Sequence, residues 1–296
     1  MEPTPFVADL SAEVLADLRD RLAATRWPLV IGDDDWRYGV PGAWLRDMVA
    51  YWADEWDWAA QAEAMNRWSH HRVTIDGVPI HYLHAPAANP GAPPLVLTHG
   101  WPWTFWDFQD VIGPLSRPED HGGDPADAFD VYVPSLPGFG FSTPLTTPGV
   151  DVARIAELWV RLMTEVLGFE RFCAHGGDWG GLVTSQLSHA HADALIGAHL
   201  SIAFIPGINR SALPDTAWAP DERWMLERNR ESEPVIRSHV TVHTLDPQTL
   251  SYGLADSPVA TAAWIWERRR NWSDCNGDVE TAFSRDHLCT TAALYW

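Results

Sequence analysis

Ala174-His175-Gly176-Gly177-Asp178-Trp179-Gly180-Gly181 is the stretch on which the reading of this chain turns. Gly176 and Gly180 each stand two residues from Asp178, the spacing of a sharp strand-to-helix bend, with an aspartate where such a bend usually carries serine. The apex of the bend holds a strained backbone conformation, and its glycine neighbours let strand and helix approach closely. Upstream, Glu170-Arg171-Phe172-Cys173-Ala174-His175 reads as a short buried strand. Downstream, Leu182-Val183-Thr184-Ser185-Gln186-Leu187 continues as a helix whose N-terminal dipole faces Asp178. A serine at the apex attacks acyl carbon. A carboxylate there suits displacement at an alkyl carbon through a covalent alkyl ester, so the expected substrate is an epoxide or a haloalkane. Read alone, the residues also fit an ordinary turn capped by an aspartate.

Two further stretches fit the same core. Pro94-Leu95-Val96-Leu97-Thr98-His99-Gly100-Trp101-Pro102-Trp103 is an apolar strand running into a tight turn. Phe129-Asp130-Val131-Tyr132-Val133-Pro134 is another buried strand, and the Pro/Gly-rich loop Ser135-Leu136-Pro137-Gly138-Phe139-Gly140-Phe141-Ser142 follows it. In α/β-hydrolases the loop after the first of these strands gives half of an oxyanion hole, and the residue after the nucleophile gives the other half. The donors here are expected to be the backbone N–H groups of Trp101 and Trp179. They would hold the oxygen that turns negative when water attacks the ester on Asp178. His99 precedes the nucleophile and reads as a turn residue at the pocket, not as a catalytic base. Trp103 and Phe139 are placed in the same pocket. The rings of Trp101 and Trp103 equally fit a core role.

His-Gly-Trp-Pro at 99–102, Leu-Pro-Gly-Phe-Gly-Phe-Ser at 136–142 and Gly-Gly-Asp-Trp-Gly at 176–180, in that order, resemble the epoxide hydrolases of the microsomal type. Leu22-Ala-Ala-Thr-Arg-Trp27, Trp36-Arg-Tyr-Gly-Val-Pro41 and Tyr51-Trp-Ala-Asp-Glu-Trp-Asp-Trp58 resemble the extra N-terminal domain of that group. Leu254-Ala-Asp-Ser-Pro-Val259 and Ala262-Ala-Trp-Ile-Trp-Glu267 resemble its cap. The resemblance implies an α/β-hydrolase core with a mostly parallel sheet: a helical extension over residues 1–70, the core with its nucleophile elbow over 71–203, and a helical cap over 204–296. It also implies that Asp178 attacks an epoxide carbon while a cap residue protonates the oxygen. Water then releases a vicinal diol, and no metal or organic cofactor is required. The group's proton-giving cap tyrosine stands roughly fifteen to twenty residues before its Asp-Ser-Pro motif. Counted back from Asp256-Ser257-Pro258, that place falls at or near His239, the candidate donor here, with a surface or core role for His239 beside it and Tyr252 as a weaker substitute. Trp103 stands where the group usually has glycine and would crowd the oxyanion side of the pocket.

The order of catalytic residues in α/β-hydrolases is nucleophile, acid, histidine, with the histidine in a loop near the C-terminus. After Asp178 come His189, His191, His199, His239, His243 and His287, which fall in the following helix, the next strand or the cap. At about thirty residues per βα unit, the final strands, acid and histidine loop require roughly sixty to a hundred further residues. The chain therefore reads as truncated at Ala292-Ala293-Leu294-Tyr295-Trp296. Two expectations follow from that reading. Asp178 becomes alkylated once without release, because ester hydrolysis needs a histidine-activated water. The sheet keeps an apolar edge unpaired, which lowers stability. Two other readings stay open: a haloalkane dehalogenase, which also uses an aspartate and a neighbouring tryptophan, and a non-catalytic binding protein or dead fragment that keeps the pocket.

Composition narrows the partners. With 296 residues, 46% of them hydrophobic, the chain holds one large α/β domain with appended elements. A formal charge of −20, with arginine the only long basic residue and no lysine, argues against nucleic acid or an anionic membrane. The expected partners are a small apolar epoxide and water, with a homo-oligomer left open. Among 18 tryptophans, the groups Trp101/Trp103/Trp106 and Trp264/Trp266/Trp272 suggest an aromatic-lined pocket. Cys173, Cys275 and Cys289 lack metal-ligand spacing, and an odd count without a signal peptide favours reduced thiols in the cytoplasm. Met1-Glu-Pro-Thr-Pro-Phe6 carries neither a signal h-region nor a spanning helix.

Periodicity supplies the remaining elements. Up to about Trp68 the chain reads as helices, the first capped by Ser11 with Val14, Leu18 and Leu22 on one face, and a later one with Leu45, Val49 and Trp52 on one face. Arg72 to Leu83 reads as a hairpin around Asp76-Gly77, Asp151 to Leu167 as a helix, Ile196 to Ile202 as a strand, and the residues from Pro206 as polar helices. Glu267-Arg268-Arg269-Arg270 reads as a solvated helix face.

Overall fold

A computed structural model describes residues 2–32, 35–202 and 212–296. Its strands are β1 (Thr4–Phe6), β2 (Ser69–Ile75), β3 (Val78–Ala85), β4 (Pro94–Thr98), β5 (Asp130–Pro134), β6 (Phe172–Gly176) and β7 (Leu195–Leu200). Its α-helices are α1 (Ala12–Ala23), α2 (Gly42–Asp54), α3 (Trp58–Met65), α4 (Gln109–Ser116), α5 (Val152–Arg161), α6 (Trp179–Ala190), α7 (Arg223–Ile236), α8 (Ser238–Leu245), α9 (Pro247–Asp256), α10 (Pro258–Trp272) and α11 (Arg285–Tyr295). The strands form a sheet in the order β1-β2-β3-β5-β4-β6-β7. Pairing is antiparallel from β1 to β5 and parallel along β5-β4-β6-β7, the part that carries the elbow.

Local chemistry explains these elements. Asp76 and Gly77 take φ of 50° and 80°, the left-handed pair that a two-residue hairpin turn needs, and they join β2 to β3. Pro94, Leu95, Val96, Leu97 and Thr98 are all buried, as expected of a parallel strand covered on both faces. Ile155, Ala156, Leu158 and Trp159 of α5 and Val183 and Leu187 of α6 pack with Val96, Tyr132, Phe172 and Ala174 into the core. Each fully buried large side chain there contributes about 1.5–3 kcal/mol. The Trp159 indole N–H donates to Thr98 Oγ1 at 3.0 Å, so its polar edge is not left bare in the core.

Asp151 caps α5, its side chain accepting from the Arg154 N–H, and the helix runs on into a wider turn over Leu162–Val166. The N-terminal segment departs from the helical expectation at its start: Thr4–Phe6 pairs antiparallel with β2. Pro3 and Pro5 explain this, since proline disrupts a helix interior but is tolerated in an edge strand.

By contacts, the described residues divide into two compact units. One holds residues 2–10, 58–202 and 295, and the other holds 11–32, 35–57, 212–294 and 296. The segments drawn from sequence, 1–70, 71–203 and 204–296, do not coincide with this division. The helices α1 and α2 cluster with α7 to α11 rather than standing as a body of their own.

In the second unit Ser11 caps α1 by accepting from the Val14 N–H, and Leu18 and Leu22 are buried while Val14 is exposed. Trp266 of α10 packs against Trp44 and Trp52 of α2, with ring centroids 5.8 and 5.9 Å apart. This corrects the expected solvated face at 267–270, because Arg268 is 4% exposed and Arg269 0%. Their charges are accommodated by stacking and hydrogen bonds. Arg268 lies 3.6 Å over the Trp264 ring and pairs with Glu267. Arg269 lies over Phe283 and bonds to His287 and Thr291.

Candidate active site

The elbow is built from backbone. Asp178 takes φ 49° and ψ −124°, and the first turn of α6 closes behind it when the Leu182 N–H donates to the Asp178 carbonyl at 3.1 Å. A Cβ at Gly176 would lie 2.1 Å from the Gly180 carbonyl oxygen, and one at Gly180 would lie 1.9 Å from the Thr98 carbonyl oxygen. Neither position has room for a side chain. That is the physical content of the glycine spacing, and it draws α6 against β6 and β4.

The carboxylate points to the loop after β4. The Trp101 N–H donates to Asp178 Oδ1 at 2.9 Å, and the Trp179 N–H also bonds to this carboxylate. A Cβ at Gly100 would come within 2.5 Å of the same Oδ1. Burial pushes the Asp178 carboxyl above its ordinary value, while the two N–H donors pull it down by less. A carboxylate with raised basicity, held by two backbone donors on a rigid turn, can act chemically as a nucleophile, and the donors point where negative charge on its carboxyl group would be stabilised.

His99 is buried and holds this loop in place. The Leu136 N–H donates to His99 Nε2 at 2.9 Å, which leaves the ring proton on Nδ1, directed at the Gly100 carbonyl oxygen 2.9 Å away. Burial lowers its pKa, so the ring is neutral at pH 7. The Phe139 ring packs edge-on against both His99 and Tyr295, at 6.2 and 5.9 Å. Asp178, Trp101 and Trp179 are thus brought together, Trp103 and Phe139 adjoin them through Tyr295 and His99, and Trp179 keeps 46% of its surface exposed.

His239 stands in α8 of the second unit. Its ring packs against Trp272 at 4.9 Å and His243 at 5.3 Å. Burial and the neighbouring Arg268 charge lower its pKa. Tyr252 is exposed on α9.

Tyr295 is the residue that the sequence reading passed over. It belongs to the first unit, and its hydroxyl donates to the Trp103 carbonyl at 2.9 Å. The signal for it is a tyrosine directly after the stretch Leu288 to Leu294, where a part-buried phenol needs a partner for its hydroxyl. Among the described residues, no group of three or more His, Cys, Asp or Glu side chains is placed to hold a metal ion.

A carboxylate at a positive-φ strand-to-helix apex, facing a backbone donor from the loop after the adjoining parallel strand, defines an α/β-hydrolase with an aspartate elbow. Residues 93–226 match the family model described as alpha/beta hydrolase fold, and residues 3–108 match the one described as epoxide hydrolase N terminus. Epoxide hydrolase 1 of Sus scrofa is 31% identical over 314 residues, covering 99% of this chain and 69% of that protein. A Stigmatella aurantiaca protein named "Putative epoxide hydrolase" is 41% identical over 293 residues, covering 99% of this chain and 66% of that protein. The crystal structure of juvenile hormone epoxide hydrolase from Bombyx mori superposes with a TM-score of 0.87 at 26% identity, covering 99% of this chain and 73% of that one. The chain belongs to the epoxide hydrolase family, and it spans 66% and 69% of the length of the two curated relatives named here.

Proposed function

We propose that this chain opens epoxides through a covalent ester on Asp178. The observation that carries the reading is the half-buried Asp178 carboxylate at a positive-φ apex, 2.9 Å from the Trp101 N–H. A carboxylate oxygen forms a bond to an epoxide carbon as the ring C–O bond breaks, and the released alkoxide takes up a proton. In the second half-reaction water attacks the ester carbonyl, and the Trp101 and Trp179 N–H groups hold the oxyanion before the vicinal diol departs. The scheme needs a small apolar epoxide, water and no cofactor.

The ring-opening proton is assigned to Tyr295. Its hydroxyl is tied to the Trp103 carbonyl, two residues along the loop from the N–H that holds Asp178. His239, expected from sequence to give that proton, must be charged to act as an acid, and its lowered pKa keeps it neutral at pH 7. A cytoplasmic setting is supported by three free cysteines, Cys173, Cys275 and Cys289. Among the described residues no helix is long and apolar enough to cross a membrane.

The test is peptide mass spectrometry after exposure to a simple aryl epoxide. An adduct is expected on the peptide containing Asp178 in the unsubstituted chain and absent in Asp178→Asn. A folded chain that stays unlabelled, or one that releases halide from a bromoalkane while ignoring the epoxide, overturns the reading.

A further inference from the structure

His175 and His199 are register partners on β6 and β7. Their Nδ1 atoms lie 2.8 Å apart, and the rings are near parallel, 23° apart with centroids separated by 4.9 Å. The pair is separate from the elbow chemistry. Both rings open onto a cavity of about 660 Å³ lined also by Leu97, Phe108, Ala174 and Gly197, and none of Asp178, Trp101 or Trp179 lines it. Phe108 holds His175 edge-on at 6.0 Å.

At 2.8 Å one facing nitrogen carries a proton and the other accepts it, since two lone pairs or two N–H groups at that distance repel. Moving the single facing proton to the outer Nε2 of its own ring releases no proton to solvent. It leaves a lone pair on each Nδ1, so that both nitrogens can act as ligands. Two metal–nitrogen bonds of about 2.0–2.1 Å at a tetrahedral angle set the nitrogens about 3.3 Å apart. The nitrogens are about half an ångström short of that spacing, and each ring must also turn so that its lone pair points at the ion.

We propose that His175 and His199 form a two-imidazole site for a borderline divalent transition-metal ion, of which zinc, nickel and copper are the chemical class. Imidazole suits these ions, whereas calcium and magnesium take oxygen ligands. Asp107 and Cys173 line the same cavity. Among the described residues no third metal-capable side chain joins the pair, so water fills the remaining positions and the ion exchanges readily. A bound ion ties β7 to β6 three residues before Asp178.

Calorimetric titration of the metal-free full chain with zinc chloride at pH 7.5 tests this, against His175→Gln, His199→Gln and the control pair His189→Gln/His191→Gln. One zinc per chain is expected. Its affinity is expected to fall at least about ten-fold in either single variant and to stay unchanged in the control. The unsubstituted chain loaded with one equivalent of copper(II) should show electron paramagnetic resonance couplings from two imidazole nitrogens, a readout that does not depend on the variants folding. Calcium and magnesium should give no heat. Zinc that fails to bind, binds all variants equally, or a copper signal without the nitrogen couplings overturns the proposal.

Discussion

Two polar clusters in this chain are made in opposite ways. Around Asp178 the hydrogen-bond donors are backbone N–H groups, and the space is cleared by glycines whose missing Cβ atoms would strike backbone oxygens. Around His239 in the second unit, side chains make most of the contacts, beside a bond from His239 to the Ile236 backbone. The Trp264 indole N–H donates to His243 Nε2 at 3.0 Å, Arg268 stacks on Trp264, and His239 packs on Trp272 and His243. A site made of backbone allows one residue type at each close approach. A site made of side chains has many equivalent solutions, so its residues carry little positional signal.

The largest expected effect comes from adding one methyl group to the first cluster. Gly180→Ala forces a carbon into the Thr98 carbonyl, and because backbone cannot rotate away as a flexible side chain does, β4 and α6 must separate. A loss of at least about 3 kcal/mol in denaturant unfolding, together with complete loss of epoxide labelling, is expected. Wild-type-like melting would erase the contrast between the two clusters. Asp178→Asn comes next and separates chemistry from packing, because it removes labelling and keeps the fold. The raised pKa of Asp178 means the native state holds its proton more tightly than the unfolded chain. Ionising it therefore costs stability as pH rises from the ordinary aspartate value of about 3.9 through the raised one. Asp178→Asn should accordingly be the more stable protein at pH 7. In the unsubstituted chain, labelling should fall as pH drops through the raised pKa, above the ordinary aspartate range.

A proton-donor comparison sets one cluster directly against the other. Tyr295→Phe should slow ester formation by about a hundred-fold, the usual scale for loss of a general acid, and His239→Gln by less than about three-fold. Single-turnover labelling rates decide it, and the reverse order would return the donor role to the histidine.

The same contrast explains what was legible in the sequence. Gly176, Asp178 and Gly180, the Asp76-Gly77 turn and the Ser11 cap each answer a local backbone demand, and such demands leave few residue choices. The strand at Thr4–Phe6, the burial of Arg268 and Arg269, and the bond from Tyr295 to Trp103 depend on contacts far apart along the chain. No window of neighbouring residues contains them. Arg268 and Arg269 show this most clearly, since a charged triplet on a helix reads as solvated until the aromatic rings around it are known.

The smallest expected effect belongs to Trp264→Phe, which keeps an aromatic platform beneath Arg268 and removes the donor to His243. Its cost at pH 7.5 should be about 1 kcal/mol, the worth of one hydrogen bond. The pH dependence is the sharper signal. His243 has a lowered pKa from burial, His239 and Arg268, so the unsubstituted protein loses stability as pH falls below about 6.5, where the unfolded chain takes up the proton that the native ring resists. The Trp264 N–H holds Nε2 in its neutral form and adds to that resistance. Removing it lets the native ring protonate more readily, so the gap between variant and parent should narrow between pH 7.5 and 5.5 in parallel denaturant titrations. A gap that stays constant would mean the indole contributes packing alone, and the side-chain cluster would then be held together without the polar link that distinguishes it.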